Sequence, residues 1–120
     1  MSSKKALKAK ADRLFSEWVR SQGKCEWCGS GGYLQCAHIF TRHYLSTRYS
    51  PINAVCLCSG CHRRAHAQPV EFVEFIKDYL GEDIYEELRY EAKVRIEKAT
   101  PDFFDTVIKK ITAGEPPYVK

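Results

Sequence analysis

The sequence predicts a small α+β protein in which two short strands and a helix form a metal-stabilised core. Two C-x-x-C pairs, "CEWC" at 25–28 and "CSGC" at 58–61, have the spacing of metal-binding knuckles. Each pair lies beside a short segment that is typical of a strand, at 33–40 and 54–58. Helical periodicity dominates the rest of the chain. This combination favours a strand-strand-helix core with helices on both sides.

The flanking segments are predicted to be helical. At the N-terminus, a helix is expected at about 4–21, and its apolar stripe comprises Leu7, Ala11, Leu14, Phe15, Trp18 and Val19. A helical extension is expected at about 69–114, with breaks at Gly81 and before Pro101. Its middle helix is expected at 83–98. Its last helix is expected to have Thr100 as N-cap and to stop at Gly114, and the final residues, "EPPYVK", are expected to form a loose tail. With a core at about 18–75, we expect one domain over residues 1–120.

Charge is distributed unevenly along the chain. Residues 1–66 contain eleven Lys and Arg against three Asp and Glu, whereas residues 67–120 contain eight against twelve. The basic half also holds every cysteine and histidine, which favours a nucleic-acid partner. Four lysines lie near the start of the first helix, where positive charge opposes the helix dipole. The alternative is a solvated, lysine-rich helix face.

The cysteines are expected to bind metal. No apolar run approaches the roughly 20 residues of a membrane helix, so no membrane association is expected. The start of the chain, "MSSKKALKAK", lacks the apolar stretch of a secretory signal, and we expect a cytoplasmic location. Six cysteines in a reducing compartment favour metal binding over disulfides.

The two C-x-x-C pairs predict a structural Zn²⁺ site formed by Cys25, Cys28, Cys58 and Cys61. Four thiolates complete a tetrahedral shell and leave no open position for chemistry. Cys36 and Cys56 remain, each on a predicted strand. They are interpreted as small buried apolar side chains.

The histidines predict a second site. His62 and His66 are four residues apart on a predicted helix and share one face, as two ligands of one metal ion would. His38 lies on the first predicted strand, and Asn53 directly precedes the second. The alternative is a histidine pair on a solvated helix face.

His38, Asn53 and His62 have the spacing H-x14-N-x8-H and are flanked by the two C-x-x-C pairs. This order resembles the HNH endonuclease family, whose fold is called ββα-metal, and in particular its phage-type branch of lambdoid recombination nucleases. The resemblance covers about residues 18–75. It implies metal-dependent hydrolysis of DNA phosphodiester bonds and makes a phage or prophage origin plausible.

The resemblance also implies roles for the site residues. His38 would be the general base, and Asn53 would brace the loop or contact the metal or that histidine. His62 would bind a divalent cation (Mg²⁺, Mn²⁺ or another), with His66 as an extra ligand. The chain departs from many members of the family at Ala37, where they carry a metal-binding Asp or His.

The proposed chemistry suits these residues independently of the resemblance. A neutral imidazole can accept a proton from water near pH 7. One divalent cation can stabilise both the scissile phosphate and the leaving 3′ oxygen. Four arginines are expected to contact phosphates of duplex or branched DNA: Arg42, Arg48, Arg63 and Arg64.

Two other functions and one other metal arrangement fit parts of the pattern. A non-catalytic zinc module could bind nucleic acid and use its histidines structurally. A protein–protein adaptor could use the acidic C-terminal helices as its surface. Finally, a single zinc could be bound by Cys25, Cys28, His62 and His66, in which case substitution of His62 would unfold the protein.

Overall fold

The structure is a computed structural model that describes residues 3–114. Its helices and strands, in chain order, are α1 (Lys4–Arg20), β1 (Leu34–His38), α2 (Leu45–Arg48), β2 (Ala54–Cys58), α3 (Ser59–Ala67), α4 (Pro69–Leu80), α5 (Glu82–Val94) and α6 (Pro101–Ala113). A 3₁₀ turn at Pro51–Asn53 leads into β2. The predicted α+β class is confirmed. The predicted C-terminal tail, "EPPYVK", lies outside the described residues.

The sheet consists of β1 and β2, paired antiparallel with Cys36 opposite Cys56 and His38 opposite Ala54. Because side chains alternate along a strand, the two faces of the sheet contribute to different apolar clusters. Cys56 joins the cluster formed with α1 and α6. Val55 and Leu57 join the cluster formed with α3 and α4. The sheet is therefore covered on both faces.

Helix α1 packs against α6 through the stripe that its sequence predicts. Ala11, Phe15 and Val19 are buried in this contact, together with Phe104 of α6. The start of α6 is also as predicted, because the Thr100 hydroxyl accepts a hydrogen bond of 3.1 Å from the backbone N–H of Phe103. Gly114 ends the helix in the left-handed conformation, which glycine adopts without steric cost.

The expected boundaries of α5 are wrong at the C-terminal end. The helix ends at Val94, and Arg95 is extended, so Ile96 leaves the helical face and is 89% exposed. The buried residues of α5 are Tyr85, Leu88 and Ala92. Within residues 3–114, no helix combines the length and apolarity needed to cross a membrane.

Candidate metal centre and candidate active site

The four predicted cysteines converge. The Sγ atoms of Cys25, Cys28, Cys58 and Cys61 all lie within 4.8 Å of one another. Those of Cys28 and Cys58 are 3.7 Å apart. A tetrahedral zinc with Zn–S bonds of about 2.3 Å requires S···S separations of about 3.8 Å, so the cluster fits such an ion. Within residues 3–114, it is the one group of three or more His, Cys, Asp or Glu arranged to bind a metal.

Backbone N–H groups stabilise negative charge on sulfur atoms of this cluster. The N–H of Cys28 points at Cys25 Sγ and that of Cys61 at Cys58 Sγ, each at 3.4 Å. Burial raises the pKa of the Cys25 thiol, but the backbone N–H groups of Cys28, Cys58 and Trp27 outweigh burial and lower that pKa to about 6. Cys25 therefore favours the thiolate, the form that binds metal. Burial and the neighbouring thiols raise the pKa of Cys61 instead.

Cys36 and Cys56 lie outside the cluster, on opposite strands of the sheet. Cys56 is fully buried and Cys36 is half-buried. Burial, followed by the neighbouring Cys56, raises the pKa of the Cys36 thiol to about 12. Neither cysteine forms a disulfide within residues 3–114, as the interpretation as small apolar side chains requires.

A separate open cleft of about 440 Å³ lies between α1, β1, α3 and the loop after β1. Three of the histidines expected to be functional line it: His38, His62 and His66. Arg42 lines it as well, whereas the four clustered cysteines do not. The alternative in which one zinc joins two cysteines to His62 and His66 is therefore not supported, because the structure separates the two sets.

His38 is oriented by the last residue of α2. Its Nε2 lies 2.9 Å from the backbone carbonyl oxygen of Arg48. A carbonyl can only accept, so Nε2 carries the hydrogen and the neutral ring has its free lone pair on Nδ1. Burial lowers the pKa of His38, and the charges of Arg42 and Arg48 lower it further, although the Arg48 carbonyl opposes them. The side chain is therefore a neutral base at pH 7.

Asn53 is completely buried and braces the loop after β1. Its Nδ2 donates to the carbonyl oxygens of Phe40 and Thr47, both at 2.9 Å. Its Oδ1 accepts from the backbone N–H of Phe40 at 2.8 Å. Of the two roles expected for Asn53, the geometry matches the bracing of the loop. Asn53 does not line the cleft, so it does not face a metal held there.

His62 and His66 present neighbouring rings on α3, with centroids 5.0 Å apart. Nδ1 of His62 lies 2.6 Å from Oε1 of Gln35 on β1. The amide oxygen accepts, which fixes the hydrogen on Nδ1 and leaves the lone pair on Nε2. Burial, then His66, lowers the pKa of His62 and so favours the neutral form that binds metal. Ala37 is buried on the α3 side of the sheet and supplies no ligand.

The expectation that Arg48 contacts phosphate requires correction. Arg48 is buried, with a side chain 10% exposed, and its Nε and Nη2 donate to the two carboxylate oxygens of Asp12 at 2.9 and 2.7 Å. Its Nη1 donates to the carbonyl of Arg42 at 3.0 Å. All three nitrogens are engaged within the protein. Arg48 instead connects α1 to the end of α2, where its own carbonyl orients His38.

The other three arginines differ in their surroundings. Arg42 is exposed at the cleft. Arg63 is exposed beside a second opening that His62 and His66 also line. Arg64 forms an ion pair with Glu71, and its guanidinium carbon lies 4.3 Å from the ring centroid of Trp27. Arg64 therefore has a structural role that the sequence did not indicate, and its availability to phosphate is reduced.

Two residues of the site were missed by sequence reasoning. Asp12 lines the cleft and accepts hydrogen bonds from both Arg48 and Tyr49. Gln35 fixes the tautomer of His62. Strand alternation could have placed Gln35 on the α3 side of the sheet, but the pairing of Asp12 with a residue 36 positions away carries no local signal.

Comparison with protein-family models, curated proteins and solved structures finds no match for this chain. Any conclusion on function therefore depends on the cleft and the cysteine cluster themselves.

Proposed function

We propose that this protein is a metal-dependent DNA endonuclease of the HNH type, with a structural zinc at the four cysteines. The observation that carries the proposal is the convergence of His38, His62 and His66 in one open cleft apart from the cysteine cluster. Two separate sets of ligands are what a structural metal and a distinct reaction site require.

The state of His38 supports its role as the general base. The hydrogen on Nε2 leaves Nδ1 free to accept the proton of an attacking water. As the ring becomes positive, the Arg48 carbonyl accepts a strengthened hydrogen bond from Nε2 and stabilises the imidazolium. The water oxygen then forms a bond to phosphorus while the bond to the 3′ oxygen breaks, and the leaving oxygen takes a proton from solvent water, giving a 5′-phosphate and a 3′-hydroxyl.

The histidine pair on α3 supports binding of a divalent cation. The lone pair on His62 Nε2, kept available by Gln35, and the exposed ring of His66 supply two nitrogen ligands. When bound, such a cation supplies positive charge to the scissile phosphate and the leaving oxygen. With no ligand at Ala37, these two histidines are the ligands that the cleft offers among the described residues 3–114, so we expect affinity for the cation to be low before DNA is present.

A second candidate is a zinc module that binds nucleic acid without cleaving it. One observation favours it: within residues 3–114, the cysteine cluster is the one group with three or more possible metal ligands close together. This function keeps the zinc and the basic half of the chain. It predicts DNA binding without cleavage in any divalent ion, whereas the nuclease needs His62 and His66.

The two candidates are separated by cleavage of supercoiled plasmid in Mg²⁺ or Mn²⁺, with EDTA added to stop the reaction. We expect metal-dependent nicking by the wild type and at least a hundredfold slower nicking by His62→Ala, which should stay folded with its zinc. DNA binding without nicking in several divalent ions would assign the protein to the non-cleaving module. Unfolding of His62→Ala with loss of zinc would contradict the two-site arrangement.

A further inference from the structure

The cleft is continued in both directions by one stripe of helix α1. Lys8, Asp12, Ser16 and Arg20 follow at steps of four residues, which places them along the same side of the helix. Asp12 and Ser16 line the cleft. Lys8 precedes Asp12 by one turn, and Arg20 follows Ser16 by one turn. Lys5 extends the same side towards the N-terminus.

This stripe is cationic and exposed. Lys5, Lys8 and Arg20 are all exposed, and the first turn of α1 contains no acidic residue. Within the described part of the chain, neither Lys5 nor Lys8 takes part in a salt bridge. The one acidic residue of the stripe, Asp12, is neutralised by its paired hydrogen bonds with Arg48.

Helix stability does not account for the lysines. Lys5 and Lys8 lie in the first turns of α1, where positive charge opposes the helix dipole. Arg20 donates from Nε to the Ser16 hydroxyl at 3.2 Å, and this orients the guanidinium along the stripe with its terminal nitrogens available. A polyanion on this side of α1 would be bound by three cations and would relieve the unfavourable dipole interaction.

We propose that the α1 stripe, formed by Lys5, Lys8 and Arg20, binds the phosphates of a DNA strand on both sides of the scissile phosphate. The inference rests on the proposed function, because the cleft with His38 lies in the middle of the stripe. At 1.5 Å per residue, Lys8 and Arg20 each lie about 6 Å along the helix from the residue that lines the cleft. The strand therefore follows the axis of α1.

The proposal predicts how the protein selects its substrate. Lysine contacts to phosphate fix the position of a strand but carry no information on base sequence. Arg42 lies at the cleft, on the loop after β1, and adds a charge away from α1. Binding by this surface is thus expected to depend steeply on salt and weakly on sequence.

Helix α1 contains a matched control for Lys8. Lys10 has the same charge and is also exposed, but it is two residues from Lys8 and therefore about 200° around the helix. Lys8→Gln and Lys10→Gln remove the same charge and lower the net charge of the protein equally. A difference in DNA affinity between the two variants therefore depends on where the charge lies on the helix.

The test is fluorescence anisotropy with a labelled 20-base-pair DNA duplex and zinc-loaded protein, without added divalent cation, at several salt concentrations. We expect Lys5→Gln/Lys8→Gln to bind about tenfold more weakly and to reduce the slope of log K against log salt by about 1.8, since each phosphate contact contributes about 0.9. Lys8→Gln should show about half of this change in log K and in slope. Lys10→Gln should match the wild type.

Equal losses in Lys8→Gln and Lys10→Gln, or no loss in the double variant, would overturn the proposal. Tighter binding of a duplex RNA with the same lysine dependence would overturn the choice of DNA. Because the binding assay needs no cleavage, failure of the proposed nuclease activity and failure of this inference give different results. A wild type that binds through the stripe but never nicks refutes the nuclease alone, whereas one that nicks without using the stripe refutes this inference alone.

Discussion

Arg48 on α2 is held by Asp12 on α1 through two hydrogen bonds, at 2.9 Å from Nε and at 2.7 Å from Nη2. The backbone carbonyl of the same arginine accepts the hydrogen bond from His38 Nε2. The Tyr49 hydroxyl also donates to Asp12, at 2.7 Å. One carboxylate on α1 thus fixes the segment that orients His38, the proposed general base on β1.

Substitution of Asp12 should therefore weaken both stability and cleavage. In Asp12→Asn, the Arg48 guanidinium stays buried without its counter-charge, which costs about 3 kcal/mol in the free energy of unfolding. This value is at the low end for a buried pair because the Asp12 side chain is 25% exposed. We expect single-turnover cleavage to fall at least tenfold with little change in DNA affinity, as measured by urea unfolding and quenched-flow assays.

The control for Asp12 is Arg13→Gln on the same helix. Arg13 pairs with Glu17 at 3.4 Å, with side chains 58% and 50% exposed. Such a surface pair contributes less than about 1 kcal/mol, and its loss should leave cleavage unchanged. If Asp12→Asn cleaves at the wild-type rate while folded, Asp12 does not act through His38.

Gln35 should affect metal binding without affecting the fold. Gln35→Leu removes the acceptor that keeps the hydrogen on His62 Nδ1, so the ring can present the wrong tautomer to the cation. Loss of such a partner typically weakens metal binding tenfold to a hundredfold. The measurement is the Mn²⁺ concentration that gives half-maximal cleavage, with Gln68→Leu as the control. An unchanged Mn²⁺ requirement would show that Gln35 has no such role.

Cysteine substitutions should divide the six residues into two groups. Cys58→Ser removes one ligand of the cluster, and we expect loss of the bound zinc and of cooperative folding, because a structural zinc stabilises a core this small. Cys36→Ala lies outside the cluster and should retain about one zinc per chain. Zinc analysis and thermal unfolding make the comparison. Equal zinc contents in the two variants would contradict the assignment.

The pH dependence of cleavage follows from the lowered pKa of His38. Burial, with the charges of Arg42 and Arg48, lowers this pKa below its usual 6.5, and only the neutral ring can accept a proton. Cleavage at saturating Mn²⁺ should therefore rise with pH, with a midpoint below 6.5. In Asp12→Asn, loss of the negative charge that raises the pKa should shift the rise to lower pH. A wild-type midpoint above pH 7 would contradict this account.

The sequence predicted what depends on local spacing. Two C-x-x-C pairs, the pair His62 and His66 on one helix face, and Thr100 at a helix start are each defined within a few residues. The partners of Arg48 and Arg64 could not be predicted, because Asp12 is 36 residues away and Trp27 is 37 residues away. An arginine in a polar loop has the same sequence pattern whether it meets phosphate or a buried carboxylate.

The most direct test compares His38→Ala with His43→Ala in plasmid nicking. His43 is exposed on the loop after β1, packs edge-on against Tyr44 and does not line the cleft, so it controls for general effects of replacing a histidine. We predict at least a hundredfold loss in His38→Ala, with fold, zinc content and DNA affinity retained, and a wild-type rate in His43→Ala. Metal-dependent nicking by a folded His38→Ala at the wild-type rate would contradict the account.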